Sequence, residues 1–471
     1  MKMYLHGEWS SGKEQFEVRS PYDGDLIASV PQASVDDVKH AIAGAVEGAV
    51  AMRRLPGYER FQILRRTADL MLARREELAK TISLEEGKTL AEANFEVGRA
   101  AETIELSAEE AKRLGGEVLP LDGAPGGAAK LGFTLRVPCG VVAAITPFNF
   151  PLNLVCHKVG PALAAGNAVV LKPASDTPIS ALSLTAILLE AGLPPLGIAC
   201  LTGAGRTLGD AVVSDSRVRK ISFTGSAEVG QHICRLAGLK RVTMELGSNS
   251  PLIVLPDADM QRVSAAIVAS GYGNAGQVCI SAQRIVAVNK AYDDLLAALT
   301  PQVAAIRTGD PLNADTKMGP MIRERDAQRV GQWIDEAVGS GARLVCGGSR
   351  EGTMFAPTLL ADVRPDMKVS REELFGPAVG VARASDIHEA IRLANDSRYG
   401  LSAGIFTRDI DAALRFARQC ESGNIHINWG PAWRADLMPY GGLKDSGLGR
   451  EGPKYAVEEM TEMKTVVVHL E

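Results

Sequence analysis

GVVAAITPFNFPLN, residues 140–153, is an apolar run that ends at two prolines, Pro147 and Pro151, which bracket Asn149. A run this short, closed by a breaker, reads as a buried strand, because a helix would need about twice as many residues. The rhythm recurs in NAVVLKPAS (167–175), KISFTGSAEVG (220–230) and SPLIVL (250–255), with helix-compatible sequence between them. Strands that are apolar throughout belong to parallel sheets covered by helices on both faces. The chain from about 139 to 250 therefore predicts βαβ units of a nucleotide-binding type.

Toward the N-terminus, apolar residues fall at three- and four-residue spacing in VKHAIAGAVEGAV (38–50), RFQILRRTADLML (60–72) and NFEVGRAAETIEL (94–106), which predicts a helical layer over 36–114. Toward the C-terminus a second α/β stretch spans about 257–441, with helical ADMQRVSAAIVASGYG (258–273) ahead of Cys279 and strand-like QRIVAV (283–288) and AGIFT (403–407). LGFTLRV (131–137) follows the Gly/Pro-rich LDGAPGGAAK (121–130), and KTVVVHL (464–470) closes the chain. Marginal strands of this kind add to another subunit's sheet, so a homodimer or homotetramer is expected. The expected division is a nucleotide-binding domain from 1–118 and 139–250, a catalytic domain over 251–444, and oligomerisation strands with a C-terminal tail at 119–138 and 445–471.

At 471 residues the chain exceeds one ordinary core. Its 46% hydrophobic content, 48 glycines and 5% aromatics fit an α/β globule rather than a disordered, fibrous or disulfide-stapled protein. A net charge of −5 without long Lys/Arg runs argues against nucleic acid or an anionic membrane as partner. Seven cysteines without a CxxC pair fit reduced thiols rather than disulfides or a zinc site. MKMYLHGEWSSGK at the start lacks an apolar leader core, so a cytoplasmic address is expected.

GYGNAGQVCIS (271–281) brings glycine-rich backbone to Cys279, which lets a substrate approach and leaves an amide free beside the sulfur. The ordinary alternative is a packed structural thiol. VTMELGSNSP (242–251) sets Glu245 between an apolar strand and a glycine turn, where partial desolvation makes a carboxylate basic; otherwise it is a strand-end acid. Asn149, stiffened by its flanking prolines, is either a fixed donor to an oxyanion or a turn asparagine. Lys172 closes an apolar strand, and FTGSAEVG (223–230) reads as strand, glycine turn and helix start, the geometry that receives a pyrophosphate.

In chain order, PFNFP (147–151), KP (172–173), FTGS (223–226), MELG (244–247), GQVC (276–279), ELFGP (373–377) and MPYGGLKDSGLGRE (438–451) make the sequence resemble the aldehyde dehydrogenase superfamily over nearly its whole length. It looks closest to the lactaldehyde, phosphonoacetaldehyde and succinate-semialdehyde dehydrogenase branches. The resemblance implies an α/β fold with a Rossmann-type cofactor domain, an α/β catalytic domain and a small β oligomerisation extension. It also implies oxidation of a small aldehyde to its acid with NAD or NADP and no metal. Cys279 would be the nucleophile that carries a thiohemiacetal and then a thioester, Glu245 the base that activates water, and Asn149 with the Cys279 amide the oxyanion hole. Lys158 would support the base through a proton relay, unless it is a surface lysine. Cofactor contacts are implied for Thr146, Pro147, Phe148, Lys172, Ser175, Gly205, Phe223, Thr224, Gly225, Ser226, Leu246, Glu373 and Phe375.

Departures from the family pattern carry expectations of their own. Where many members place a glutamate on the adenosine ribose, this chain has Ser175. A serine can hydrogen-bond a 2′-phosphate that a carboxylate would repel, and Lys172 can neutralise it, so NADP use is expected, with Asp176 next door working against it. ELGG is ELGS here, so Ser248 alters the turn but leaves Glu245 in place. Asn153 and His157 share a helical face where members taking apolar aldehydes carry bulky apolar side chains, and Arg434 stands in place of an aromatic ring. Together these three predict a substrate-binding face for a hydroxylated aldehyde or one bearing a carboxylate, phosphonate or sulfonate. Arg99 and Arg284 are further cationic candidates, though either is more often a structural ion-pair partner, while Arg434 reads evenly as a functional or a surface residue. The rivals are a coenzyme A acylating relative, against which Glu245 counts, and a hydrolase or non-catalytic binding protein on the same scaffold, against which the complete set of nucleophile, base and oxyanion donor counts.

Overall fold

A computed structural model of the chain describes residues 1–470. Strands Val141–Ile145, Ala168–Lys172, Val218–Thr224 and Arg241–Glu245 lie parallel at the centre of an eight-stranded sheet. Outward on one side come Ile198–Cys200, Met3–Leu5 and Glu8–Ser10, and on the other Gly447–Leu448. The register aligns the C-terminal ends: Ile145 sits beside Lys172 and Phe223, and Thr224 beside Glu245. Loops leaving those ends all open at one edge, around the point where the strand order reverses, which is where open α/β sheets bind ligands. The strands Met3–Leu5 and Glu8–Ser10 escaped the sequence reading because three residues are too few to leave a periodic pattern.

Helix Asn153–Ala164 is buried at every position, and Leu90–Ala111 lies along it, opened by a capping box between Thr89 and Glu92. A second, seven-stranded sheet runs in the order Arg343–Cys346, Thr358–Ala361, Ala378–Ala384, Arg284–Val288, Pro251–Val254, Ser402–Phe406, Asn424–Ile427, over its own apolar core. The α/β architecture expected from the sequence is thus the one found.

A third sheet pairs Thr461–His469 with Lys130–Pro138 and then Val118–Leu119, and Leu131, Leu135, Met463 and Val467 remain exposed on it. The end of the chain does more than supply that strand. Gly447 and Leu448 pair with Glu245 and Met244 in the first sheet, and helix Pro453–Glu459 packs on Asn153–Ala164 and Leu90–Ala111. Among the described residues no helix is long and apolar enough to cross a membrane.

Candidate active site

Cys279 follows a buried turn in which Asn274, Ala275 and Gly276 take φ of 51°, 52° and 69° in succession. Left-handed backbone costs a residue with a Cβ roughly 1 kcal/mol or more, so neighbours must hold the turn. Glu92 accepts a hydrogen bond from the Asn274 backbone N at 2.7 Å, and Glu86 accepts one from the Asn274 side chain at 2.9 Å. At Gly276 the backbone of Gly376 leaves no room for a Cβ. The result is a half-buried sulfur 3.4 Å from the Tyr440 hydroxyl. Burial pushes the Cys279 thiol up to about 11; the Tyr440 hydrogen bond and Arg434 pull it down, while Glu373 and Glu245 add to the rise.

Asn149 is buried and donates one amide hydrogen to the Gln277 carbonyl at 2.8 Å, two residues ahead of Cys279. Its second amide hydrogen is free for another acceptor. The Asn149 backbone carbonyl accepts from Lys88 Nζ at 2.7 Å and from the Asn274 side-chain amide at 3.1 Å, so one buried hub holds both the oxyanion candidate and the cysteine turn. Nothing in the sequence pattern marked Lys88 for this position.

Glu245 ends its strand buried, with both carboxylate oxygens lacking a partner. Burial pushes its pKa well above the ordinary value, and the negative charge of Glu451 adds to this; Arg434, Lys158 and Arg450 oppose it. Lys158 does not touch Glu245. It is fully buried and donates to Thr224 Oγ1 and to Glu451 Oε1, each at 2.7 Å, and Thr224 is the residue paired with Glu245 across the strands. Burial works against ionisation of Glu451 too, yet Lys158, His157 and Arg434 hold it down to about 2. Two buried carboxylates near one another are therefore driven in opposite directions.

His157 and Arg434 belong to the same polar network. Arg434 donates to Glu451 at 3.3 Å and to His157 Nδ1 at 3.2 Å. Burial and the Arg434 charge depress the His157 pKa, so the neutral ring donates through Nε2 to Asp436 at 2.8 Å. Asp436 also receives Arg99 through two hydrogen bonds, at 3.0 and 2.5 Å. Asn153 turns elsewhere and accepts from Thr103 at 3.1 Å. None of Asn153, His157 and Arg434 is among the residues lining the cavity that contains Cys279; Arg434 stacks 3.9 Å over the Tyr440 ring, and Tyr440 reaches the sulfur. Arg284 stands apart and caps helix Ile387–Asn395 through the carbonyls of Leu393 and Ala394.

Two confluent cavities of about 440 and 810 Å³ form one cleft along the edge of the first sheet. The smaller holds Cys279, Asn149, Leu246, Glu373 and Phe375; the larger holds Thr146, Lys172, Ser175, Gly205 and Phe223; both share Pro147, Phe148, Thr224, Gly225 and Ser226. Every position implied for the cofactor thus faces this cleft, which fits a dinucleotide. A Cβ at Gly225 would meet Phe223 Cζ at 2.5 Å, Thr146 Oγ1 is buried without a partner, and the Phe148 and Phe375 rings meet edge-on at 6.0 Å. Ser226 caps helix Ala227–Ala237, whose first amides open onto the cleft. In the larger cavity Asp176 is bonded to Arg323, through Nε at 2.7 Å and also through Nη2. Burial lowers Lys172 to about 8, and Arg206, Arg235 and Arg325 complete the wall.

The sequence profile of the aldehyde dehydrogenase family matches residues 9–466. A 3-sulfolactaldehyde dehydrogenase from Priestia megaterium is 47% identical over 99% of this chain and 98% of its own. A lactaldehyde dehydrogenase from Methanococcus aeolicus is 40% identical over 99% of this chain and all of its own. The crystal structure of NADP-dependent glyceraldehyde-3-phosphate dehydrogenase from Bacillus halodurans, complexed with NADP, superposes with a TM-score of 0.97 at 37% identity, covering 100% of this chain and 99% of the other.

Proposed function

The chain belongs to the aldehyde dehydrogenase family and is an NAD(P)-dependent aldehyde dehydrogenase, and we propose that it oxidises a small hydroxylated, anionic aldehyde through a thioester on Cys279, using NADP as well as NAD. The observation that carries the mechanism is that Cys279 and Asn149 line one cleft while the buried, partnerless carboxylate of Glu245 lies next in sequence to Leu246, which lines the same cleft. The sulfur attacks the carbonyl carbon, and the oxygen, now an alkoxide, is received by the free amide hydrogen of Asn149. Bound nicotinamide supplies the two-electron acceptor for the aldehyde hydrogen. Glu245, in its ionised form, then removes a proton from the water that adds to the thioester; burial makes its carboxylate more basic than an exposed one. Lys158 supports that base through its charge and through Thr224, beside it in the sheet.

Charge supports an anionic substrate. The hydrogen-bonded network on Asp436 and Glu451 joins three cations, Arg99, Arg434 and Lys158, to two carboxylates, and Arg450 adds a further positive charge felt by Glu245, so cations outnumber the paired carboxylates here. Arg434 Nε is buried without a hydrogen bond, 4.0 Å from Asp436 Oδ1. The Priestia relative, by its name, acts on a sulfonated hydroxyaldehyde. For the cofactor, Ser175 in place of a carboxylate and the pairing of Asp176 with Arg323 leave the wall around Lys172 positive, as a 2′-phosphate requires. The eight-stranded sheet would hold the cofactor, the seven-stranded one the catalytic turn, and the third would join subunits of a homodimer or homotetramer through its exposed apolar residues, in a cytoplasmic enzyme.

The test is a panel of 3-sulfolactaldehyde, succinate semialdehyde, lactaldehyde and propanal with each cofactor, in the wild type and in Arg434→Ala, following absorbance of the reduced cofactor. Activity concentrated on the anionic aldehydes is expected, with KM for them rising about tenfold in the variant and that for propanal moving less. A wild-type preference for propanal, or an unchanged KM for every anionic aldehyde in the variant, would remove the anion from the proposal.

A further inference from the structure

Resting on the assignment of Cys279 as nucleophile, we propose that Tyr440 is also a catalytic residue: its phenol donates a hydrogen bond to the Cys279 sulfur whenever that sulfur carries negative charge, before attack on the carbonyl and again on leaving the thioester. The two atoms lie 3.4 Å apart, and the tyrosine is 3% exposed. In the thiol form either atom can donate. Once the sulfur loses its proton, only the phenol has one to give.

The placement of Tyr440 is built from several sides. Its backbone exchanges hydrogen bonds with Glu451, N to O at 3.1 Å in one direction and 2.7 Å in the other, and Lys158 anchors Glu451 in turn. The loop just before it is tied down at Asp436 by Arg99 and His157. The ring packs with Ile280 and Leu401. On its other side the Arg434 guanidinium, 3.9 Å from the ring centroid, withdraws electron density and strengthens the phenol as a donor. Burial pushes the Tyr440 phenol well above its ordinary range, so it keeps its proton and can only share it.

A need for such a donor is visible in the surroundings of the sulfur. Burial raises the thiol to about 11; Glu373 and Glu245 face it and add to the rise, and only Tyr440 and Arg434 oppose it. Each unit by which the pKa falls multiplies the thiolate fraction near neutral pH about tenfold and costs roughly threefold in intrinsic nucleophilicity, a net gain for attack. A thiolate of lower pKa also leaves faster. In the first step the thiol proton passes to solvent, the S–C bond forms and the carbonyl π pair moves to oxygen; the thioester arises when that pair re-forms C=O and the aldehyde hydrogen leaves with its bonding electrons, for which a nicotinamide held in the cleft would be the acceptor. In the second, water's C–O bond forms, its proton goes to Glu245, the C–S bond breaks and the electron pair returns to sulfur beneath the phenol. The tyrosine hydrogen is shared in both steps and transferred in neither.

The experiment is the pH dependence of iodoacetamide alkylation at Cys279, read by mass spectrometry without cofactor or aldehyde, in the wild type and in Tyr440→Phe, with Cys279→Ala as a control. The midpoint in Tyr440→Phe is expected about one pH unit higher, with kcat/KM near neutral pH about threefold lower. A profile that superposes on the wild type overturns the proposal. Should Tyr440→Phe fold poorly, 3-fluorotyrosine at position 440, a stronger donor of nearly the same size, is expected to lower the midpoint, and an unmoved midpoint overturns the proposal equally. An active Cys279→Ala would overturn the nucleophile and this role with it, whereas an inactive Cys279→Ala with an unmoved Tyr440→Phe profile would overturn Tyr440 alone.

Discussion

The two ends of the cleft are both rich in cations, and they use them differently. At the wide end Arg206, Arg235 and Arg325 are exposed, and among the described residues none of them has a carboxylate partner. At the catalytic end Arg434, Lys158 and Arg99 are each bonded to a carboxylate, and the first two are almost wholly enclosed. A cation with free donors waits for an anion to arrive. One locked into a network fixes its neighbours and sets their charge, holding Glu451 down while Glu451 in turn adds to the rise of Glu245, and it is left to meet an anion only through a donor the network does not use, as at Arg434 Nε.

The largest effect expected from breaking this contrast is at Glu245. Glu245→Gln should lower steady-state turnover about 10² to 10³-fold yet retain one rapid burst of reduced cofactor, measured by stopped flow; loss of the burst as well would place Glu245 before the thioester rather than after it. The same variant reads stability. Because the folded protein holds this proton more tightly than the unfolded chain, Glu245 is harmless below the ordinary carboxylate pKa and erodes stability as pH rises from there toward its raised folded value. Glu245→Gln should therefore melt at a higher temperature than the wild type at pH 8, with the gap closing near pH 4. A gap that widens toward acid would reverse the sign assigned to the buried carboxylate.

Smaller effects are expected at the open end. Ser175→Glu places a second anion against the 2′-phosphate and should cut kcat/KM for NADP at least about tenfold relative to NAD. Equal losses with both cofactors would point to a damaged fold instead. Smallest of all, Arg206→Ala should raise the KM for NADP roughly threefold at low salt, with the difference fading as ionic strength rises, because exposed charges are screened.

The sequence made some of this plain and hid the rest for physical reasons. Apolar runs closed by proline or glycine marked the strands that end at Ile145, Lys172, Thr224 and Glu245, and those ends carry the cleft. The family motifs were equally legible, and the family match bears them out. Partnerships between distant segments were not. Glu451 lay in a quoted motif without a role, because its meaning depends on Lys158, far away in the chain. Tyr440 and Asp436 sit beside Arg434 in sequence, yet their contacts with Cys279, His157 and Arg99 arise only when the loop folds back. Asn153 and His157 do share a helical face, but helix Asn153–Ala164 is enclosed on all sides, so that face meets Thr103 at one residue and the Asp436 loop at the other.

The return of Gly447 to the sheet beside Glu245 has a consequence for biosynthesis. A ribosome that has released the first 430 residues has already made Cys279, Asn149 and the other residues that line the cleft. The strand that flanks Glu245, the partner of Lys158 and the tyrosine against the sulfur are still unmade or held in the exit tunnel. A chain cut short before Tyr440 therefore carries the cysteine without the strand, the carboxylate and the phenol that surround it here.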